Sequence, residues 1–237
     1  GDARKIGDPE TEPTLTAEFR VKVAGLELTL TRPVVNRYVD RVYGELTRPL
    51  AVIPPVGIEF GGRAVVFADN KPRRIDVPVK SASGKVAGEM KLTTPAGWKV
   101  SPESQKFELG ATNEQTVVSF DLTPPMGDSQ GFLSAVATVN GRSVFVNTRV
   151  IDYPHIPMQT LLPAASSTLL RVTVQNLSKN VGYVMGAGDE VPDALRQMGC
   201  DVTMLTKDDL LYGDLNRFDA IVTGVRAFNV QIGRAHV

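Results

Sequence analysis

The sequence predicts a mainly β fold, an immunoglobulin-like β-sandwich followed by a truncated α/β unit. Three observations carry this. From Phe19 to Val150 apolar residues alternate with polar ones at a period of two, the mark of half-buried strands. Gly, Pro and Asn-Gly turn signals interrupt that alternation at the spacing of a sandwich. From Val181 the pattern changes to an apolar strand with no polar face, a Gly-rich turn and then helical spacing. That is how a parallel sheet covered on both faces begins.

Residues 1–13 are polar, are broken by Asp8-Pro9 and Glu12-Pro13, and read as a loop. Phe19, Val21 and Val23 alternate with Arg20 and Lys22. Gly25 turns the chain, and Leu26, Leu28 and Leu30 repeat the alternation, so a hairpin is expected. Tyr38 to Asp40 and Val42 to Glu45 follow, and residues 1–48 read as the C-terminal strands of a preceding β-domain. Three prolines between Pro49 and Pro55 fix φ and remove donors, which makes this stretch a linker.

The sandwich is expected over residues 49–153. Val56 to Phe60, a Gly61-Gly62 turn and Ala64 to Phe67 open it. Ile75, Val77 and Val79 alternate with Asp76 and Pro78, and the proline points to an edge strand. Gly84 turns the chain into Val86 to Leu92, and Pro95-Ala96-Gly97-Trp98 is a turn carrying the one tryptophan. Phe107 to Leu109 and Val117 to Leu122 are the next strands. Phe132 to Val139, Asn140-Gly141 and Val144 to Val150 close the unit as a hairpin, Asn-Gly being the strongest short-range signal for one. This makes about seven or eight strands, near the seven of an immunoglobulin-like sandwich.

Tyr153-Pro154-His155-Ile156-Pro157 is a stiff joint opening a linker over 154–168. The last unit is expected over 169–231, with Leu170 to Val174 as a strand at its start. Val181 to Met185 is the first parallel strand. Asp189 is expected as the N-cap of the helix that follows, Pro192 falls in its first turn, and Gly199 ends it. Val202 to Leu205 is the second strand. Thr206 caps the next helix, with Asp208 and Asp209 at its positive end, and Ala220 to Thr223 is the third strand. Residues 232–237 break the pattern before them and read as a translation of common sequencing-adapter DNA, outside the fold.

Composition narrows the function classes. With 26 basic and 26 acidic residues the net charge is +0, which leaves no electrostatic footprint for nucleic acid or an anionic membrane. No apolar run approaches the roughly 20 residues of a spanning helix. The N-terminus is polar, starts without Met, and reads as the interior of a longer protein rather than a signal peptide. Cys200 stands alone, so neither an internal disulfide framework nor a cysteine zinc site is expected. It reads as a small buried hydrophobe.

No catalytic constellation is visible, and five residues are the ligand candidates. Gly186 and Gly188 flank a strand-to-helix turn, where bare amides favour anions. Val191 occupies the place of the third fingerprint glycine and Asp189 the place a phosphate would take, so a tight structural turn is favoured. His155, between prolines, cannot supply a zinc site or a triad unaided and reads as a bond across the domain junction. Trp98 can stack on a sugar ring or pack inward, and packing is the commoner case. Arg226 falls at the carboxyl edge of the sheet, where open α/β sheets bind ligands, and is the best single anion contact.

Several phrases together resemble the C-terminal region of large bacterial PIG-L/LmbE-type deacetylases. They are Arg32-Pro33-Val34 through Tyr38-Val39-Asp40 and Gly44-Glu45, then Tyr153-Pro154-His155-Ile156-Pro157, then Tyr183 through Pro192, then Phe218-Asp219-Ala220-Ile221-Val222 with Gly224 and Arg226-Ala227. The resemblance implies a secreted or periplasmic parent with an N-terminal zinc domain acting on N-acetylglucosaminyl compounds. Sandwich domains would follow, and then a flavodoxin/amidotransferase-like α/β domain. The family's zinc and base residues lie in a His-Pro-Asp-Asp motif that has no match here. The resemblance therefore carries over no catalytic, cofactor or metal residue, and places zinc in a catalytic domain outside this chain.

Three functions are expected to compete. The first is a non-catalytic accessory region whose partners are that catalytic domain and glycans, with neither nucleic acid nor a membrane. The second is a carbohydrate-binding module of another glycan-active enzyme. The third is a truncated amidotransferase-like or nucleotide-binding domain.

Overall fold

The computed structural model describes residues 12–60 and 64–232. The Gly61-Gly62 turn, the N-terminal loop up to residue 11 and the adapter-like residues from 233 onward lie outside the described residues.

β1 (Thr16–Val23) and β2 (Leu26–Pro33) form an antiparallel ribbon. Its turn residues Ala24 and Gly25 have φ of 51° and 84°, the doubly left-handed turn whose twist suits a hairpin. The register sets Phe19 opposite Leu30, Val21 opposite Leu28 and Val23 opposite Leu26, so six apolar side chains share one face, and all six are exposed. β3 (Val35–Asp40) and β4 (Gly44–Pro49) make a second ribbon. The Asp40 carboxylate closes its turn by accepting from Val42 N and Tyr43 N at 2.7 and 3.0 Å.

The sandwich begins with β5 (Val56–Ile58), β6 (Ala64–Phe67), β7 (Arg73–Ser81) and β8 (Val86–Thr93). It continues through β9 (Lys99–Ser101), β10 (Gln105–Leu109), β11 (Gln115–Thr123), β12 (Ser129–Val139) and β13 (Arg142–Val144). A small excursion, β14 (Arg149–Ile151) paired with β15 (Gln159–Leu161), precedes β16 (Ser166–Arg171). One sheet runs β10-β8-β12-β16-β6, with β13 hairpinned onto β12, and the other runs β5-β7-β11-β9. Period-two alternation turns Val77, Val79, Phe120 and Leu122 of one sheet toward Met90, Leu133, Ala135 and Leu169 of the other, each 1% exposed or less. Each large side chain so buried contributes about 1.5–3 kcal/mol, and this cluster dominates the stability of the chain.

The structure departs from the sequence expectation in three places. Pro78 is not on an edge strand, because β7 lies between β5 and β11. Its carbonyl accepts from Glu59 N at 3.0 Å, so its backbone faces the side on which β5 has already ended at Ile58, and the missing N–H interrupts no ladder there. The expected strand from Val144 to Val150 divides. β13 stops at Val144, Val146 forms an isolated bridge to Ala164, and β14 pairs with β15 instead.

The third departure concerns the domain boundary. Residues 166–171, expected partly as linker and partly as the start of the last unit, are a strand of the sandwich. β16 lies antiparallel to β12 and parallel to β6. Its inward positions are Ser167, Leu169 and Arg171, all buried. Two of the three are polar, which hides the alternation that betrays the other strands.

In the last unit β17 (Asn180–Val184) is the central strand, flanked in parallel by β18 (Asp201–Met204) and β19 (Ala220–Thr223). Helices α1 (Val191–Gln197) and α2 (Lys207–Tyr212) connect them, with a 3₁₀ turn at Leu215–Arg217 and a π turn at Phe228–Ile232. Thr206 caps α2 as expected, and Asp209 completes a reciprocal capping box. Asp219 accepts from Lys179 N and Asn180 N, both at 2.8 Å, and ties the start of β17 to β19. α1 reaches the sandwich edge, where Gln197 Oε1 accepts from Val66 N at 2.8 Å. The Val66 carbonyl accepts from Arg73 Nη2, so long side chains cap both outward backbone groups of that edge residue. Among the described residues no helix is long and apolar enough to cross a membrane.

Candidate functional site

Two places bring polar groups together. The first is a cleft on the outer face of the four-stranded sheet. Gly57, Lys80 and Gln115 are register partners across β5, β7 and β11 and form one rung. Val79 faces the core, so Lys80 beside it faces out. A Cβ on Gly57 would lie 2.8 Å from Asn147 Oδ1, and a bare glycine is what lets the segment after β13 cross over this rung. That segment is anchored by Ile58 N donating to Val146 O at 3.1 Å and Asn147 N to Pro163 O at 2.8 Å. Asn147 Oδ1 accepts from Thr148 N at 2.8 Å.

Between the rung and this wall lies an open cleft of about 540 Å³, lined by Lys80, Gln115, Glu59, Phe60, Asn147 and Arg149, with Pro78 and Pro163 beside them. The side chains of Lys80, Gln115, Glu59 and Arg149 make no hydrogen bond or ion pair with the described residues. A surface with amide, cationic and flat apolar groups left free can hold a polar ligand with C–H faces, as a sugar is.

The second place is the carboxyl edge of the α/β sheet. Tyr183, fully buried in β17, donates its hydroxyl to Asp189 Oδ1 at 2.6 Å. The same carboxylate accepts from Val191 N and Val225 N, each at 3.2 Å. Burial and the Asp189 hydrogen bond push the Tyr183 hydroxyl up to about 12. The bond from Tyr183, and then those from the two backbone amides, hold the Asp189 carboxyl below its ordinary 3.8. Asp189 is therefore not the N-cap of α1. Glu190 occupies that position and makes no side-chain cap, while Asp189 clasps the loop after β17 to the loop after β19. A phosphate would need those amides, and a carboxylate of the chain itself holds them.

The five ligand candidates do not form one site. Trp98 is 7% exposed, donates Nε1–H to Ser129 Oγ at 3.1 Å and meets Phe67 edge-on at 5.0 Å, so its ring faces the core and not a ligand. His155 is exposed and stacks on Tyr153, with ring centroids 5.8 Å apart; no bond joins it across the junction among the described residues. Gly186 packs so closely on the opposite loop that a Cβ would overlap the Val225 carbonyl, and Ala187 N donates to that carbonyl at 2.8 Å. Gly188, with φ of 96°, borders open space. Arg226 is exposed beside this clasp, and its φ of 58° is unusual for a residue with a side chain. Gly186 and Arg226 thus meet at one loop pair, while Trp98 and His155 belong to neither place. Cys200 is half-buried, with Sγ 3.6 Å from Ser178 O.

Sequence reasoning missed the cleft. Its residues come from strands distant in the chain, and an outward Lys80 or Gln115 looks like any solvent face. The one usable signal was Gly57, an unexplained glycine inside a strand.

Among the described residues no group of three or more His, Cys, Asp or Glu could hold a metal ion. No family model and no curated protein matches the chain. Among solved structures the chain is similar to the ASH/PapD-like domain 7 of human CEP192, at 14% identity and a TM-score of 0.31, over 58% of this chain and 99% of that one. It is also similar to a family 123 glycoside hydrolase from Clostridium perfringens, at 7% identity and a TM-score of 0.30, over 54% of this chain and 30% of that one. A third likeness is to the VesB protease of Vibrio cholerae, at 10% identity and a TM-score of 0.27, over 49% and 31% of the two chains. Likenesses at these scores carry no activity or ligand over to this chain, whose fold is described by its own sheets.

Proposed function

We propose that this chain is a non-catalytic accessory region of a larger bacterial glycan-active protein, of the PIG-L/LmbE-type deacetylase kind, and that its sandwich contacts the glycan. The observation that carries the reading is the cleft beside Gly57, Lys80 and Gln115, where the side chains of Lys80, Gln115, Glu59 and Arg149 make no bond with the described residues. Three carboxylates of the α/β unit are engaged otherwise. Asp189, Asp209 and Asp219 each hold backbone amides or a hydroxyl of the chain itself. The apolar face of the β1–β2 ribbon supports a place in a larger protein, since a two-stranded ribbon is marginal alone and this face is what a sandwich half offers its second sheet. On this reading the deacetylase zinc belongs to a separate catalytic domain, the partner of this region, in a secreted or periplasmic protein.

The same cleft serves a carbohydrate-binding module of another glycan-active enzyme equally well. A nucleotide or amidotransferase function draws less support, because Asp189 takes the place an anion would fill.

Heteronuclear NMR of the whole chain with N-acetylglucosamine oligomers tests the reading. Saturable shifts centred on Lys80, Gln115 and Asn147 are expected. A folded chain that shows no shifts across neutral and charged oligosaccharides sinks it.

A further inference from the structure

We infer that the cleft is selective for glycans bearing carboxylates, uronic-acid units above all, through Lys80 and Arg149. This rests on the glycan-contact reading and adds the class of sugar. Over the whole chain basic and acidic residues balance. Some cations elsewhere on the surface are paired with acids. Arg20 lies 2.7 Å from Glu18, Arg37 3.4 Å from Glu45, Arg74 3.2 Å from Asp76 and Arg196 2.7 Å from Asp193. The cleft is distinguished by an excess of one cation among its described lining residues. Lys80 and Arg149 face one acid, Glu59, and none of the three is within ion-pair distance of another.

The neighbours of Lys80 on its rung, Gly57 and Gln115, are uncharged, and Glu59, on the same face, lies beyond ion-pair distance. A concave wall focuses the field of such cations. The planar guanidinium of Arg149 can take a carboxylate through two parallel N–H···O bonds, with Lys80 as a point charge beside it. The remaining lining suits the rest of a sugar. Gln115 and the Asn147 Nδ2 offer amide groups to hydroxyls, and Pro78 and Pro163 offer flat apolar faces to ring C–H groups.

The test measures binding of the whole chain by calorimetry to oligogalacturonate, to neutral N-acetylglucosamine oligomers and to a sulfated oligosaccharide of similar charge density. The comparison is repeated with Lys80→Gln, Arg149→Gln and the double variant. Both positions are exposed, and the near-ultraviolet signal of buried Trp98 verifies the fold of each variant. Oligogalacturonate is expected to bind about tenfold tighter than the neutral oligomer. That preference should vanish in the double variant and shrink as salt rises from about 0.05 to about 0.5 M, with neutral binding unchanged.

Equal or better binding of the neutral oligomer overturns the carboxylate selectivity while leaving the glycan reading intact. Acid preference that survives the double variant places the site elsewhere and overturns it too. Sulfated and carboxylated ligands binding alike shows selection by charge alone and overturns the carboxylate selectivity. Absence of binding to any of the three refutes the glycan reading itself.

Discussion

Leu169→Ala is the sharpest test of where the sandwich ends. Leu169 is fully buried at the middle of β16, opposite Gly131 on β12 and Val65 on β6. Truncating a buried leucine costs about 2–5 kcal/mol, and the cost is greatest where the surroundings cannot collapse. Here strands on both sides hold the backbone, so the low end is excluded and about 3–4 kcal/mol is expected. The sandwich, Val56 to Arg171, is of a size at which each kcal/mol moves the midpoint by about 3–6 °C, which gives a fall of about 9–24 °C. Trp98, the one tryptophan, is packed on Phe67 in the sandwich core and reports on that unit alone. Thermal unfolding followed by near-ultraviolet dichroism of Trp98, with far-ultraviolet dichroism for the helices, separates the two units. The Trp98 transition should fall, and Val181→Ala in β17 should move the helical transition instead. If Leu169→Ala leaves the Trp98 transition in place and lowers only the helical one, β16 belongs to the α/β unit and the boundary argued above is wrong.

Two further outcomes follow from the α/β unit and its docking. Hydrogen bonds hold the carboxyls of Asp189, Asp209 and Asp219 below their ordinary 3.8, so their stabilisation is present above that value and is lost as pH falls through their lower folded values. Acid titration should therefore unfold the helical signal before the Trp98 signal. Asp189→Asn, which cannot ionise, should flatten that dependence, and an unchanged titration curve would count against the clasp. Gln197→Ala strands the Val66 amide on the β6 edge, at a cost of about 1–3 kcal/mol, and opens that edge to strand pairing. Light scattering and a melt should show self-association and lower stability, and a monomer of unchanged stability would show that the edge does not need the cap.

The readable parts of the chain are those where one residue type has one local use. Asn140-Gly141, with φ of 49° and 74°, closes the β12–β13 hairpin because glycine and asparagine tolerate the left-handed turn. Thr206 caps α2 because its hydroxyl reaches an amide three residues on. The strand of Ile75, Val77 and Val79 was legible from alternation, yet its central place was not, since Pro78 is harmless only because β5 ends beside it. Asp189 was legible as a carboxylate near a helix start. Its partners, Tyr183 on the strand before it and Val225 in the loop after β19, are fixed only by the fold.

By itself the sequence determined the mainly β class, most strands and their turns, both helices and the parallel strands of the last unit. These follow from periodicity and from short-range backbone chemistry. Tertiary structure alone decided that β16 completes the sandwich, that Trp98 faces inward, that the β17 and β19 loops are clasped, and that Gly57, Lys80, Gln115 and Arg149 border one cleft. Each of those depends on which distant strands pair, and pairing is set by the burial of whole faces rather than by any single run of residues.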